Sequence, residues 1–289
     1  MFANSPGHHG RAIVLSVPNP ALLLFNPQTF RPAAPLLLLI NLPFLGLPFF
    51  LNRLCRTPTS ATPASALPIL FFIHGGFAGE DVNSYDGAGF SAEFNVIVAT
   101  INYRLGPLGF LSTYEGNTLS GNVGMADQRE AMRWIKREAV NFGGNPNQIL
   151  IVGESPGDVS VLHHTISPKS AGLFQRVLGE FGTPQSNSEE YGRGISAMLG
   201  AALGCDQTGD ALKACLAAKP LAELLNVGSD GRWAPVVGAN GELPASTEQV
   251  LRDFEHYQNQ DFTPAAVNVL NMFTNPTAAL RTAVEGNFK

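Results

Sequence analysis

The sequence predicts an α/β protein whose central sheet is mostly parallel and has helices on its faces. Three observations support this prediction. Short, continuously apolar runs recur along the chain, a segment of helical periodicity lies between them, and glycine-rich turns directly follow two of the runs. In chain order the predicted elements are a strand, a turn, a second strand, a helix, a third strand and a sharp turn into a second helix.

The first strand is predicted over 67–73, which is apolar and is followed by a His-Gly-Gly-Phe sequence. The second is predicted over 94–101, because this run is rich in β-branched residues. A helix is predicted over 127–140, where apolar residues such as Met132 and Ile135 recur at helical spacing. Glycines at positions 143 and 144 are typical of the end of such a helix.

The third strand ends in the most informative segment of the chain, Gly-Glu-Ser-Pro-Gly at 153–157, which fits the pattern G-x-S-x-G. In a nucleophile elbow, a strand turns sharply into a helix and presents a serine hydroxyl at the tip of the turn. The flanking positions are glycines because the strained turn leaves no room for side chains. Ser155 is therefore a candidate nucleophile for acyl transfer. The next residue is Pro156, which lacks the N–H group that normally donates to the oxyanion.

Gly75 and Gly76 follow the first predicted strand. In a hydrolase with such an elbow, a His-Gly-Gly turn at this place supplies the other half of the oxyanion hole. Glycine N–H groups can approach a carbonyl oxygen closely because no Cβ is in the way. The alternative is a flexible turn without function, but the elbow later in the chain favours the oxyanion interpretation.

Several short motifs occur in the order typical of one family. They occupy positions 74–77, 102–106, 121–128, 141–146, 153–155, 167–168 and 172–174. With these motifs the chain resembles the type-B carboxylesterase/lipase family, the cholinesterase-like branch of the α/β-hydrolases. The resemblance is dense over 67–184 and continues more weakly to residue 244. It implies an α/β-hydrolase fold.

The resemblance also implies roles for single residues. Ser155 would be the nucleophile, and Gly75 and Gly76 would donate to the oxyanion. Three charged residues would have structural roles near the elbow; these are Arg104, Asp127 and Glu154.

The three cysteines bear on the compartment. Cys205 and Cys215 lie where the family has a small disulfide loop, which would imply an oxidising compartment. Cys55 is left over, and three reduced thiols are the alternative. The sequence shows no signal peptide, so the localisation stays open although the family suggests secretion.

The chain departs from the family pattern in three respects. The oxyanion loop has two glycines before Phe77 where the family usually has three, and Pro156 and Asp158 replace an alanine and a glycine. Family members are also longer, and their catalytic acid and histidine lie in a C-terminal part whose motifs we do not find. We therefore expect one α/β-hydrolase domain over 1–289 that is truncated at its C-terminus. Within it we distinguish a divergent segment 1–66, a best-matching core 67–184 and a helical, partial region 185–289.

Three histidines follow the candidate nucleophile. His163 and His164 lie on the helix that leaves the elbow, in a segment that is structural in the family. His256 lies in a polar helical stretch, where a solvated surface histidine is the preferred interpretation over a catalytic base. The catalytic acid and base are thus not identified.

Several function classes are excluded by pattern. No basic cluster indicates nucleic acid, no G-x-x-x-x-G-K motif indicates a bound phosphate, and no His/Cys cluster indicates a metal. The apolar stretch 33–51 contains three prolines, so we do not expect a membrane span. No metal or organic cofactor is expected.

The expected function is hydrolysis of a small-molecule carboxylic ester through an acyl-enzyme on Ser155, with low or no activity because Pro156 follows the nucleophile and no catalytic histidine is recognised. One alternative is a catalytically inert, cholinesterase-like scaffold for binding or adhesion. Another is a non-functional gene fragment. The sequence does not distinguish an esterase from a lipase, and it leaves the oligomeric state and the ester specificity open.

Overall fold

The computed structural model describes residues 11–14, 53–76, 85–113, 121–180, 186–228 and 233–246, together with the single positions 249, 252, 253 and 256. The apolar stretch 33–51 and the position of Phe77 lie outside the described residues.

A six-stranded sheet forms the centre of the described structure, with the strand order β1-β2-β4-β3-β5-β6. Its strands are β1 Arg11–Val14, β2 Arg53–Thr57, β3 Leu67–Ile73, β4 Ile97–Ile101, β5 Gly144–Glu154 and β6 Arg176–Glu180. Strands β3 to β6 are parallel to one another, whereas β1 and β2 are antiparallel to their neighbours. The predicted mostly parallel sheet is confirmed.

The described residues form seven α-helices. They are α1 Ala88–Phe94, α2 Gly106–Phe110, α3 Val123–Glu138, α4 Pro156–Ile166, α5 Glu189–Ala202, α6 Gly209–Ala217 and α7 Leu221–Val227. Short 3₁₀ turns occupy Ala139–Phe142, Pro168–Ser170 and Ala239–Gly241. Among the described residues, no helix has the length and apolar character that crossing a membrane requires.

The second predicted strand is shorter than expected. The run 94–101 was predicted to be a strand throughout, but Phe94 is the last residue of α1 and β4 begins only at Ile97. Asn95 separates them in a left-handed conformation, with φ of 53°, which ends the helix. The apolar character of Phe94 was therefore misleading, because its side chain is about half exposed at the end of a helix.

The predicted helix is present and begins four residues earlier than predicted, at Val123. It buries Met125, Met132 and Ile135 in the main core cluster together with apolar residues of the central strands. Burying one such side chain contributes about 1.5–3 kcal/mol to stability. Gly143 ends the following 3₁₀ turn with φ of 79°, as its position in the sequence predicts.

All five residues of β4 are buried, because this strand has neighbours on both sides and lies inside the layered fold. Parallel strands of one sheet end at the same edge, so β3 and β5 bring the segments after Ile73 and Glu154 close together. The candidate site is built at this edge.

The disulfide Cys205–Cys215, whose Cα atoms are 5.8 Å apart, joins the segment after α5 to α6. The expected disulfide is thus confirmed. Leu199 of α5 and Leu212 of α6 are both buried in the core cluster, so this helix pair packs onto the rest of the fold through its apolar faces.

Candidate active site

Ser155 lies between the last residue of β5 and the first residue of α4, with φ of 54° and ψ of −122°. A positive φ is uncommon for a residue with a Cβ and indicates backbone strain. Three backbone hydrogen bonds hold the strained residue. Its N–H donates to the carbonyl of Glu180 at 2.8 Å, and its own carbonyl accepts the N–H groups of Asp158 at 3.0 Å and Val159 at 3.3 Å.

The glycines on either side of Ser155 are required by close backbone contacts. A Cβ on Gly153 would collide with the carbonyl oxygen of Gly157, and a Cβ on Gly157 would collide with the carbonyl oxygen of Ile73. Backbone atoms cannot rotate away as a flexible side chain can. The elbow therefore packs directly against the end of β3, and this contact explains the glycines of the motif.

The Gly75-Gly76 turn lies beside the elbow. A Cβ on Gly75 would lie 2.9 Å from Glu154 Oε2 and 3.2 Å from Pro156 Cδ. Gly76 has φ of 64°, a conformation that glycine adopts without strain. The structure thus brings together the two segments that the sequence predicts for the oxyanion hole.

His74 anchors this turn. Its ring is buried, stacks on Tyr103 with 4.6 Å between ring centroids, and places Nδ1 2.8 Å from the carbonyl oxygen of Gly75. The Tyr103 hydroxyl donates to the carbonyl of His74 at 2.8 Å. These contacts hold the backbone of the Gly75-Gly76 turn in place.

Pro156 has two opposite effects at the elbow. Its Cδ is bonded to the backbone nitrogen where another residue has the amide hydrogen, so a donor is lost on the side that faces Gly75. As the first residue of α4, however, it occupies the helix position that proline favours most. The residue removes a donor from the predicted oxyanion hole and favours the start of the helix.

Asp158 is also well placed for the helix and is accommodated by β6. It lies in the first turn of α4, where a negative charge interacts favourably with the helix dipole. The residue is almost fully buried, and its carboxylate fills the space beside Gly179, since a Cβ at that position would collide with it. Gly179 of β6 therefore leaves space for the side chain of Asp158, which stands where the family has a glycine.

Two further carboxylates lie beside Ser155, the candidate nucleophile. Glu154 and Glu180 are directly paired in the register of β5 and β6, and the Tyr85 hydroxyl donates to Glu154 Oε2 at 3.5 Å. Burial raises the pKa of Glu180, and the neighbouring charge of Glu154 raises it further. When both groups are ionised, their negative charge opposes the formation of an oxyanion nearby.

Comparison with known proteins agrees with this geometry. The Carboxylesterase family matches residues 52–273, well over half of the chain. The chain belongs to the carboxylesterase family. It is 37% identical over 195 residues to the pyrethroid hydrolase Ces2e of Rattus norvegicus, which covers 62% of this chain and 34% of the relative. It is 35% identical over 213 residues to the acylcarnitine hydrolase of Mus musculus, covering 72% of this chain and 36% of the relative.

Neuroligin-2 of Homo sapiens is similar as well, with 40% identity over 203 residues, or 67% of this chain and 24% of the relative. The chain spans about a third of the length of the two hydrolases and about a quarter of the length of Neuroligin-2.

Arg104 and Asp127 lie where the carboxylesterase resemblance implies a structural role. The guanidinium binds the carboxylate through two bonds of 2.6 Å, and the Arg104 backbone N–H donates to the same carboxylate at 3.1 Å. Such a bidentate pair fixes both partners. It ties the segment after β4 to helix α3.

The two histidines of α4 are enclosed in the protein. His164 places Nε2 2.9 Å from Gln128 Oε1 and Nδ1 2.9 Å from Ser170 Oγ, so both ring nitrogens are engaged. His163 is fully buried, and neither of its ring nitrogens has a hydrogen-bond partner among the described residues. Burial lowers the pKa of each histidine to about 3. Neither ring is suited to accept a proton from a nucleophile at neutral pH.

His256 is described as an exposed residue whose backbone N–H donates to Asp253 Oδ1 at 3.3 Å. Its exposure agrees with the preferred interpretation of a solvated surface histidine, and the catalytic base stays unidentified.

Three features around the site were not predicted from the sequence. They are the Glu154–Glu180 pair, the fit of Asp158 against Gly179, and the buried ion pair of Arg129 with Glu242. Each depends on which residues of distant segments become neighbours. The departure at Asp158 was the one hint, because a carboxylate on the buried side of a helix needs a compensating change elsewhere.

Proposed function

We propose that this chain is a carboxylic ester hydrolase that acts through an acyl-enzyme on Ser155, at a rate reduced by Pro156. The observation on which the proposal rests is the conformation of Ser155, strained at φ of 54° between two obligatory glycines and next to the Gly75-Gly76 turn. Membership of the carboxylesterase family supports the same reaction. The names of the two hydrolases refer to different substrates, so the proposal covers small carboxylic esters as a class.

In the proposed reaction, Ser155 Oγ attacks the carbonyl carbon of the ester and loses its proton to a base. The carbonyl oxygen becomes an oxyanion, which accepts hydrogen bonds from the N–H groups of Gly75 and Gly76. The bond to the alkoxy oxygen then breaks, and the alcohol leaves with a proton. Water attacks the acyl-enzyme, releases the carboxylic acid and restores the Ser155 hydroxyl. The base is not identified, and His256 is a weak candidate for it, as the exposed histidine after Ser155 among the described residues.

The expected rate depends on two departures from the family pattern, the missing donor at Pro156 and the unidentified base. Loss of one oxyanion donor slows such a reaction by about 10²–10³-fold, or roughly 3–4 kcal/mol. Loss of the base would cost on the order of 10⁶-fold. The proposal therefore predicts slow turnover, and its magnitude depends mainly on the base.

The second candidate function is an inert scaffold that binds a partner. Pro156 favours it, since its Cδ replaces a donor beside Gly75 while the residue improves the start of α4. The similarity to Neuroligin-2, whose name is not that of a hydrolase, is compatible with it.

Incubation of the purified full chain with a fluorophosphonate probe tests the proposal. We expect slow labelling that is abolished by Ser155→Ala. A folded protein that resists the probe would contradict the hydrolase proposal and favour the scaffold. A cooperative melt is recorded on the same sample, because a chain without one would instead support the gene-fragment alternative.

A further inference from the structure

Helix α4 contains two adjacent imidazoles that are completely enclosed. His163 and His164 are each 0% exposed. The ring of His164 is hydrogen-bonded on both nitrogens to uncharged partners, Gln128 and Ser170. The ring of His163 has no such partner among the described residues. Both positions therefore suit a neutral imidazole, because neither supplies, in the described part of the chain, a carboxylate partner that would offset the cost of burying a charged ring.

The hydrogen bonds of His164 continue towards the nucleophile. Gln128 Nε2 donates to Ser160 Oγ at 3.1 Å, and Ser160 Oγ donates to the carbonyl of Pro156 at 3.2 Å. All the side chains between Ser170 and Ser160 in this network are fully buried. The network thus connects helix α3 and the 168–170 turn to the residue that follows Ser155.

The charged groups around the pair do not favour protonation. Arg129 of α3 acts on His164 and lowers its pKa, after the larger effect of burial. Glu242 is engaged by Arg129, and Lys169 Nζ of the 168–170 turn lies 3.8 Å from Glu242 Oε1. The nearest acid on the same helix is Asp158, in its first turn.

Two further carboxylates, Glu154 and Glu180, lie where β5 and β6 end at the elbow, at the opposite end of α4 from the histidines. Both histidines lie in the last helical turn, where the helix dipole favours a cation. This effect is too small to offset burial, since each pKa is lowered to about 3.

We propose that this histidine pair makes the elbow an acid-sensitive element, in which proton uptake at falling pH releases α4 from α3 and from the 168–170 turn. The carbonyl of Ser155 accepts the N–H groups of Asp158 and Val159, so its strained geometry depends on the first turn of α4. Release of the helix disassembles the site. The proposal holds whether the site is catalytic or only binds a partner.

The stability of the closed form depends on pH because each histidine has a different pKa in the closed and the open form. In the folded protein the pKa of each histidine is about 3, below the ordinary value of 6.5. The open form therefore binds more protons than the closed form between these values. The closed form is therefore most stable above about pH 6.5, and this stability is lost as the pH falls towards 3. For each histidine, the equilibrium constant of opening rises by up to about tenfold for each unit by which the pH falls.

Hydrogen exchange of the α4 amides at pH 7.5 and 5.0, corrected for the intrinsic rates, tests the proposal. Each released histidine should raise the opening constant by about 30-fold between these pH values. We expect the opening constant of the wild type to rise by this factor more than that of His163→Met. The variant fills the same buried position with an apolar side chain that does not titrate. His256→Met is the matched control at an exposed histidine, and its α4 amides should show the same rise in exchange as those of the wild type. Equal rises in the wild type and His163→Met would overturn the proposal.

An NMR titration of the wild-type imidazole carbons makes the test independent of the folding of any variant. At least two of the six histidines should remain neutral at pH 5.0. Titration of all six near pH 6.5 in the folded protein would contradict the proposal. Neither readout requires Ser155 to react, so failure of the hydrolase proposal would be recognised separately by the fluorophosphonate probe.

Discussion

Pro156 is the residue at which helix stability and the proposed catalysis compete. In an elbow, the residue after the nucleophile is both the first residue of a helix and a donor to the oxyanion. Proline is favourable in the first role because its φ suits a helix start, and it cannot fill the second because it lacks an N–H. The structure places its Cδ beside Gly75, on the side where the donor is needed.

Replacing Pro156 by alanine should restore this donor. We expect ester hydrolysis and fluorophosphonate labelling to accelerate by about 10²–10³-fold, because one oxyanion hydrogen bond is regained. The rates of the wild type and Pro156→Ala are compared on the same probe. The double variant Ser155→Ala/Pro156→Ala is the control and should show no labelling. An unchanged rate in a folded Pro156→Ala protein would mean that this position does not limit the reaction.

Gly157 is constrained by a backbone atom rather than by a side chain. We expect Gly157→Ala to destabilise the fold by about 1–3 kcal/mol or more, since its Cβ would collide with the carbonyl of Ile73. Gly194 of α5 is the matched control, because no atom lies within 4 Å of a Cβ built there. Gly194→Ala should stabilise the protein by up to about 1 kcal/mol through helix propensity. Urea unfolding measures the stability of both variants. Equal changes in stability would contradict the close backbone contact at Gly157.

At the scale of elements, α4 and β6 fit together through Asp158 and Gly179. The buried carboxylate of Asp158 occupies the space that a side chain at position 179 of the neighbouring strand would fill. The two positions should therefore be energetically coupled.

A double-mutant cycle tests this coupling. Gly179→Ala should cost about 1–3 kcal/mol of stability, because the added methyl group collides with the Asp158 carboxylate. In an Asp158→Ala background the same substitution should cost less, since the colliding group has been removed. The stabilities come from urea unfolding of the four proteins. Additive effects would show that the two side chains do not interact.

At the scale of the whole molecule, a buried ion pair joins α3 to the 239–243 segment. Arg129 is 7% exposed and Glu242 is 0% exposed, and their side chains form a salt bridge. Ser167 Oγ donates to the same carboxylate at 3.2 Å. Segments more than a hundred residues apart are thereby fixed around the elbow helix.

Removing one partner of this pair should be costly, and removing both should not. We expect Glu242→Leu to lower the free energy of unfolding by about 3–5 kcal/mol, because an unpaired charge stays buried. In Arg129→Met/Glu242→Leu most of that loss should be recovered. The exposed pair Glu189 and Arg193 provides a control, and Glu189→Ala should cost less than about 1 kcal/mol. A double variant as unstable as the single one would contradict this account.

The sequence by itself determined the local features of this protein. The strand over 67–73, the Ser155 elbow and the glycine end of the α3 segment were all predictable, because each depends on the conformational needs of a few consecutive residues. The order of these elements also predicted the mostly parallel sheet, and the resemblance of the ordered motifs implied the α/β-hydrolase fold. The predicted strand over 94–101 was wrong in its first residues, since an apolar run does not distinguish the end of a helix from the start of a strand.

Only the tertiary structure decided which distant residues meet. The pairing of Glu154 with Glu180 depends on the register of two parallel strands, and the complete burial of His163 depends on how α4 packs. Neither leaves a local pattern, because register and packing are set by the whole set of contacts in the fold. The effect of Pro156 depends on the sequence and on the tertiary structure. The missing N–H is evident in the sequence. The proximity of its ring to Gly75 follows from the tertiary structure, because β3 and β5 end at the same edge of the sheet.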